Sequence, residues 1–174
     1  MTPFHRAALI VGAGNGLSAA LARRLAREGM LVALAARNVD KAAREALIVN
    51  AYGAFLVAQE AARRMIKKGA GAIFFTGASA SVKGYAKSSP FAMGKFALRG
   101  LAQSLARELA PQGVHVAHFV IDGGILGPGR IEDPNRPDSL LDPEAIAETY
   151  LHALRQPRSA WTWEFELRPW VEPF

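Results

Sequence analysis

The segment Val11-Gly12-Ala13-Gly14-Asn15-Gly16-Leu17-Ser18 restricts the fold more than any other part of the chain. Residues 7–11 before it read as a short buried strand. After it, residues 15–27 carry Leu17, Leu21 and Leu25 at a spacing of four, the stripe of a helix, and Gly29 closes that helix as a C-terminal glycine does. A second buried strand, residues 31–36, completes the unit. A strand–glycine–helix turn brings backbone N–H groups and a helix N-terminus to bear on a pyrophosphate. Only residues without a side chain let the backbone come that close. A plain tight turn is the competing reading of the glycines alone; the strand before them and the helix and strand after them favour dinucleotide binding. Gly12, Gly14, Asn15, Gly16 and Leu17 are the expected cofactor contacts. Arg37 ends the second strand, where an acidic residue would grip the ribose 2′-hydroxyl of NAD and an arginine accommodates the 2′-phosphate of NADP. NADP is therefore the expected cofactor, with NAD the alternative.

The remaining chain continues the alternation. Residues 39–68 have helical character throughout, and residues 71–76 read as a strand. A loop rich in Ser, Gly and Ala leads to a helix over residues 89–110, with Pro90 near its first position and Pro111 just past its end. Residues 114–121 form a fourth strand. Residues 122–141 are a loop rich in Gly, Pro and Asp. Asp142-Pro143-Glu144 starts a helix that runs to about Arg155, and residues 161–167 read as a final strand. Strands alternating with helices predict an α/β fold: a Rossmann-like, doubly wound parallel sheet of about five strands. At 174 residues, 51% of them hydrophobic, the chain suffices for one domain with a real core, expected over residues 1–174.

Other classes recede. There are no cysteines, which removes disulfide and thiolate chemistry. No run of eighteen apolar residues predicts a membrane span, and the start of the chain lacks signal-peptide character, so a cytoplasmic protein is expected. The formal charge is +6, but its cations are scattered in pairs such as Arg23-Arg24 and Arg63-Arg64 on helix surfaces or ends. An anionic cofactor accounts for that charge as well as nucleic acid does, and nucleic acid is not expected as a partner. His115 and His118 lie at odd spacing on one strand and point to opposite faces, so they cannot converge on a metal. Glu144 and Glu148, at i and i+4 on a helix, read as a solvated pair.

Several motifs in order resemble the short-chain dehydrogenase/reductase family. Its opening T-G-x-x-x-G-x-G is matched in part by residues 11–18, with Val11 for the threonine and Ser18 for the last glycine. Its N-x-x-G-x-F helix is similar to Asn50-Ala51-Tyr52-Gly53-Ala54-Phe55, and its Y-x-x-x-K helix to the stretch around Lys95 and on through Ala106-Arg107-Glu108-Leu109-Ala110. The resemblance implies that Lys95 orients the nicotinamide ribose, that Ser79 steadies a carbonyl, and that Asn50 belongs to the catalytic group. It also implies a homo-oligomer through the helices of residues 39–68 and 89–110, and a substrate site beneath the loop of residues 122–141, whose residues name no ligand.

The departures are equally specific. Four positions before Lys95, where the family has its tyrosine, stands Phe91; thirteen before that stands Ala78, with Ser79 next door. Phe91 has no proton to give, and proton transfer from a placed acid is worth about 10²–10⁴ in rate. Tyr85, in the same loop, is a remote substitute. Only twelve residues separate Arg37 from Asn50, where the family has two further strands with their helices. Losing that segment predicts the strand order 2-1-3-4-5. Thirty helical residues would span about 45 Å, more than the roughly 40 Å of such a domain, so the helix of residues 39–68 is expected to bend or break before Asn50. The reading is an NADP-preferring oxidoreductase of altered chemistry; the alternatives are a non-catalytic cofactor-binding or scaffold protein, or a defective product.

Overall fold

The computed structural model describes residues 7–11, 16–35 and 44–172, which fall into two compact units. Among the described residues no helix is long and apolar enough to cross a membrane. The expected contacts Gly12, Gly14, Asn15 and Arg37 lie outside the described residues.

The first unit holds strand β1 (Ala7–Val11), helix α1 (Leu17–Arg27), strand β2 (Leu31–Ala35) and helix α5 (Pro143–Arg155). β1 and β2 run parallel in the register Ala7↔Leu31 to Val11↔Ala35. The stripe expected on α1 is real: Leu17, Ala20, Leu21 and Leu25 are buried. They pack toward α5, which buries Ile146, Ala147, Tyr150 and Leu151. α1 ends in a Schellman pattern, with Met30 N–H donating to Leu25 O and Gly29 N–H to Ala26 O, at a φ of +81° that glycine adopts without strain. Asp142 caps α5 by accepting from Glu144 N–H at 3.0 Å. The sheet is less well covered. Leu9 and Leu31, on one face, are 55% and 76% exposed, unusual for parallel strands.

The second unit holds helix α2 (Arg44–Leu47), a π-helical section (Ile48–Gly53), helix α3 (Ala54–Ile66), strand β3 (Gly71–Thr76), helix α4 (Ser89–Leu109), strand β4 (Val114–Ile121) and strand β5 (Glu164–Leu167). β4 is the centre of a parallel sheet of order β3-β4-β5, and all eight of its residues are buried. Phe119 stacks on Phe165 with centroids 4.8 Å apart and meets Phe74 edge-on. On the opposite face of the sheet, α3 and α4 pack through Ala58, Ala62, Leu98 and Ala102 against Phe75, Val114 and Val116.

The fold class is α/β with parallel strands, as the alternation predicts. Within each sheet the neighbours follow the expected order, 2-1 in one and 3-4-5 in the other; the hydrogen bonds form these two sheets rather than one of five strands. The expected helix of residues 39–68 is helical over its described part to Ile66 and changes to π geometry at Ile48, just before Asn50. The last strand is shorter than expected. A 3-10 turn at Arg158–Ala160 precedes it, and Trp161 is turned aside, its indole donating to Gln156 O and stacking on His115 at 4.7 Å.

Candidate functional site

Two places collect polar groups. In the first unit, α1 begins at Gly16, whose carbonyl accepts from Ala19 and Ala20 N–H. No side chain caps this end and no acidic residue sits in the first turn. The helix therefore presents its positive end with no carboxylate in its own first turn to answer it. Gly16 and Leu17 form one wall of a groove of about 500 Å³, and Ile125, Gly127, Gly129 and Arg130 belong to the other. A turn closes that second wall: Arg130 N–H donates to Gly127 O at 3.0 Å, and Leu126 N–H and Leu141 N–H bond across to Leu141 O and Gly124 O. The donor set suits an anionic group. Gly16 and Leu17 are thus the two residues of the glycine turn expected to contact the cofactor whose surroundings are described; nothing in the glycine pattern pointed to Arg130.

In the second unit, the end of β3 meets α4. Lys95 Nζ donates to Thr76 O at 3.0 Å and lies 5.8 Å from the centroid of the Phe91 ring. Burial pushes the Lys95 amine below its ordinary value. Ser79 follows three residues after Thr76 and opens a 3-10 turn, Ser79–Ser81, which Ser81 Oγ fastens by accepting from Ala78 N–H at 3.1 Å. Asn50 sits in the π-helical section with its amide donating back to Ala46 O. A Cβ on Gly94, the residue before Lys95, would come within 2.8 Å of Ala46 O and 3.4 Å of Asn50 Cβ. Close packing thus sets Asn50 beside the helix that carries Lys95. Lys95, Thr76 and Phe91 are brought together; among the described residues no hydrogen bond joins Ser79 or Asn50 to Lys95. Tyr85 is half exposed and uses its backbone carbonyl to hold Ser88 Oγ.

Behind this corner lies a charge cluster that sequence reasoning passed over. Arg99 clamps Glu164 with two hydrogen bonds of 2.7 Å, and Glu164 also lies 3.0 Å from His118 Nδ1. His118 is fully buried, and its Nε2 has no hydrogen-bond partner among the described residues. Burial pushes the imidazole below its usual range against the pull of Glu164, with Arg99 and Lys95 adding to the depression. Burial would raise Glu164, but Arg99 and His118 outweigh it and hold the carboxyl below the usual range. Strand parity located both histidines on opposite faces; their partners, Glu164 for His118 and Thr162 O for His115, come from β5 and the turn before it, more than forty residues on.

A family model for short chain dehydrogenases matches residues 40–127, half of the chain. The 3-oxoacyl-[acyl-carrier-protein] reductase MabA of Mycobacterium avium is 37% identical over 51% of this chain and 34% of its own length. L-2,3-butanediol dehydrogenase of Corynebacterium glutamicum is 33% identical over 59% of this chain and 39% of its own. The chain thus spans between a third and two fifths of those relatives. Among solved structures, a short-chain dehydrogenase from Rhodopseudomonas palustris superposes with a TM-score of 0.76 at 28% identity, over 97% of this chain and 100% of that one. An alcohol dehydrogenase from Thermococcus sibiricus, complexed with 5-hydroxy-NADP, shares the fold at a TM-score of 0.78 and 18% identity, over 97% and 98%.

Proposed function

The chain belongs to the short-chain dehydrogenase family, and from that premise we propose that it binds a nicotinamide dinucleotide, NADP ahead of NAD, and works as an oxidoreductase of altered chemistry. The observation that carries the reading is the uncapped N-terminus of α1 facing a groove with no carboxylate among its described lining residues. Gly12, Gly14, Asn15, Gly16 and Leu17 would hold the diphosphate, Arg37 the 2′-phosphate, and Lys95 the ribose of the nicotinamide. When bound, the nicotinamide supplies or accepts hydride.

The chain's own residues determine what accompanies that transfer. Phe91 offers an apolar ring where the family resemblance expects a hydroxyl. Lys95 is held against Thr76 O and over that ring, and in this reading it binds a ribose hydroxyl. Ser79 and Asn50 are assigned to the carbonyl and to the support of Lys95 by the same resemblance. With no phenol to hand over a proton, carbonyl reduction is expected to be slow. Phe91 equally favours a second reading, a nucleotide-binding protein without turnover.

The family reading extends to a homo-oligomer in the cytoplasm. Leu47, Ile48, Ala51, Tyr52, Phe55 and Leu101 line an apolar depression of about 380 Å³ on the helical face of the second unit, with Ile48, Tyr52 and Phe55 exposed. A second copy is the expected cover.

The deciding experiment is titration of the protein with NADPH and NADH, followed by nucleotide fluorescence. Saturable binding with an NADPH preference that vanishes in Arg37→Ala supports the reading. Binding of neither nucleotide at millimolar concentration overturns it.

A further inference from the structure

We propose that Arg130 is the cation that pairs with the diphosphate of the dinucleotide, from the wall opposite α1. The inference rests on the nucleotide-binding reading and adds to it a residue that the glycine turn and Arg37 do not include.

Arg130 is the only charged residue among the eight described residues that line the groove of Gly16 and Leu17. It makes no ion pair with any described residue, whereas Arg23, Arg24, Arg99 and Arg155 all do. The nearest acid in sequence, Glu132, is otherwise engaged, accepting from Leu140 N–H. An unpaired guanidinium and an uncapped helix N-terminus thus face one glycine-lined space, with no carboxylate among the described residues that line it. Two positive elements on opposite walls fit a doubly charged, several-oxygen anion better than they fit a neutral ligand. A guanidinium presents several N–H donors in a fixed fork that matches phosphate oxygens.

The loop also prepares this placement. Gly129 takes a φ of +82° within the Gly127–Arg130 turn, which returns the chain toward the groove. A Cβ on Gly124 would come within 3.2 Å of Arg130 Nη1 and 2.7 Å of Leu140 Cδ2. The bare backbone of Gly124 therefore gives the arginine room to lie back across the loop. A side chain there would displace Leu140 or the guanidinium.

The test is to measure dissociation constants for NADPH and NADH at one fixed ionic strength by titration calorimetry. The proteins are wild type, Arg130→Ala, Arg130→Lys, Gly124→Ala and, as a contrast, Arg37→Ala. Arg130 is exposed, so Arg130→Ala is expected to melt within a degree or two of wild type; Arg130→Gln provides a second neutral variant. The expected result is that Arg130→Ala weakens NADPH and NADH by the same factor, about ten- to a hundredfold, as for loss of one charge-assisted hydrogen-bonded contact. Arg130→Lys recovers part of it, and Gly124→Ala loses affinity while keeping the charge. Arg37→Ala weakens NADPH alone. Equal affinities in wild type and Arg130→Ala overturn the assignment and leave the nucleotide reading standing. A loss confined to NADPH moves Arg130 to the 2′-phosphate and overturns it too. Binding of neither nucleotide by wild type removes the nucleotide reading itself.

Discussion

His118 Nδ1 lies 3.0 Å from Glu164 Oε2 inside a sheet where the imidazole has no exposed surface. The ring is held neutral because burial disfavours its cation, and Glu164 stays ionised because Arg99 grips both its oxygens. Lys95 and Arg99, both on α4, are the cations that bear on the ring. A histidine whose folded pKa is depressed gives stability that is full above its unfolded pKa of about 6.5 and declines as pH falls, because the unfolded chain takes up a proton that the fold refuses. Denaturant midpoints should therefore drop between pH 7.5 and 5. The His118 contribution to that slope is one proton at most, or about 1.4 kcal/mol per pH unit. His118→Gln should flatten it; an unchanged slope in that variant would place the pH dependence elsewhere.

Two glycines on α4 make opposite predictions. Gly94→Ala drives a Cβ to within 2.8 Å of the Ala46 backbone and should cost about 1–3 kcal/mol, the scale of overpacking. A Cβ on Gly100 would meet nothing within 4 Å, so Gly100→Ala should stabilise by roughly 0.5–1 kcal/mol through helix propensity alone. Thermal melting of the two variants side by side tests the packing of α4 on the π-helical section. Equal effects would mean that the close approach is absent in solution.

Phe91 is the position at which chemistry can be returned. It is 45% exposed, so Phe91→Tyr should leave stability within about 0.5 kcal/mol while placing a phenol near Lys95 Nζ. Reduction of a panel of small ketones and aldehydes with NADPH should rise by roughly 10²–10⁴. The gain should disappear in the double variant with Lys95→Met. A Phe91→Tyr protein that binds nucleotide and still turns nothing over favours the non-catalytic reading.

Association is tested at Tyr52 and Phe55, both exposed on the helical face. Tyr52→Glu and Phe55→Glu put charge into the apolar depression and should convert an oligomer to monomer in light scattering, with melting little changed. An unaltered mass would assign any oligomer to another surface.

The parts of the fold that local pattern controls were legible in the sequence. The leucine spacing of α1, the Asp142 cap and the largely apolar middle strand of the sheet are short-range signals, and each element formed where its pattern stands. Boundaries that depend on packing were not. Trp161 leaves the last strand because His115 and Gln156 receive its ring and its N–H, contacts no alternation of residues reveals. The helix change at Ile48 was reached only from a length argument, and its π geometry was not anticipated. At the candidate site, Lys95 could be placed by motif spacing, but the Arg99–Glu164–His118 cluster joins residues 65 and 46 positions apart. Arg130 is likewise brought to α1 by the loop, in a segment whose composition looked uninformative.

The poorly covered β1–β2 pair governs how the protein must be handled. Leu9 and Leu31 face outward on one side of the two strands, Leu34 on the other, and β2 has β1 as its only hydrogen-bonded neighbour among the described residues. When copies are dilute, the exposed parts of these leucines meet water. As concentration rises, the open strand edge beside them offers N–H and C=O groups to the next chain. Usable yield is then set by an upper concentration that purification must respect. Salts that strengthen hydrophobic association, such as sulfate, should lower that ceiling, and mild chaotropes should raise it.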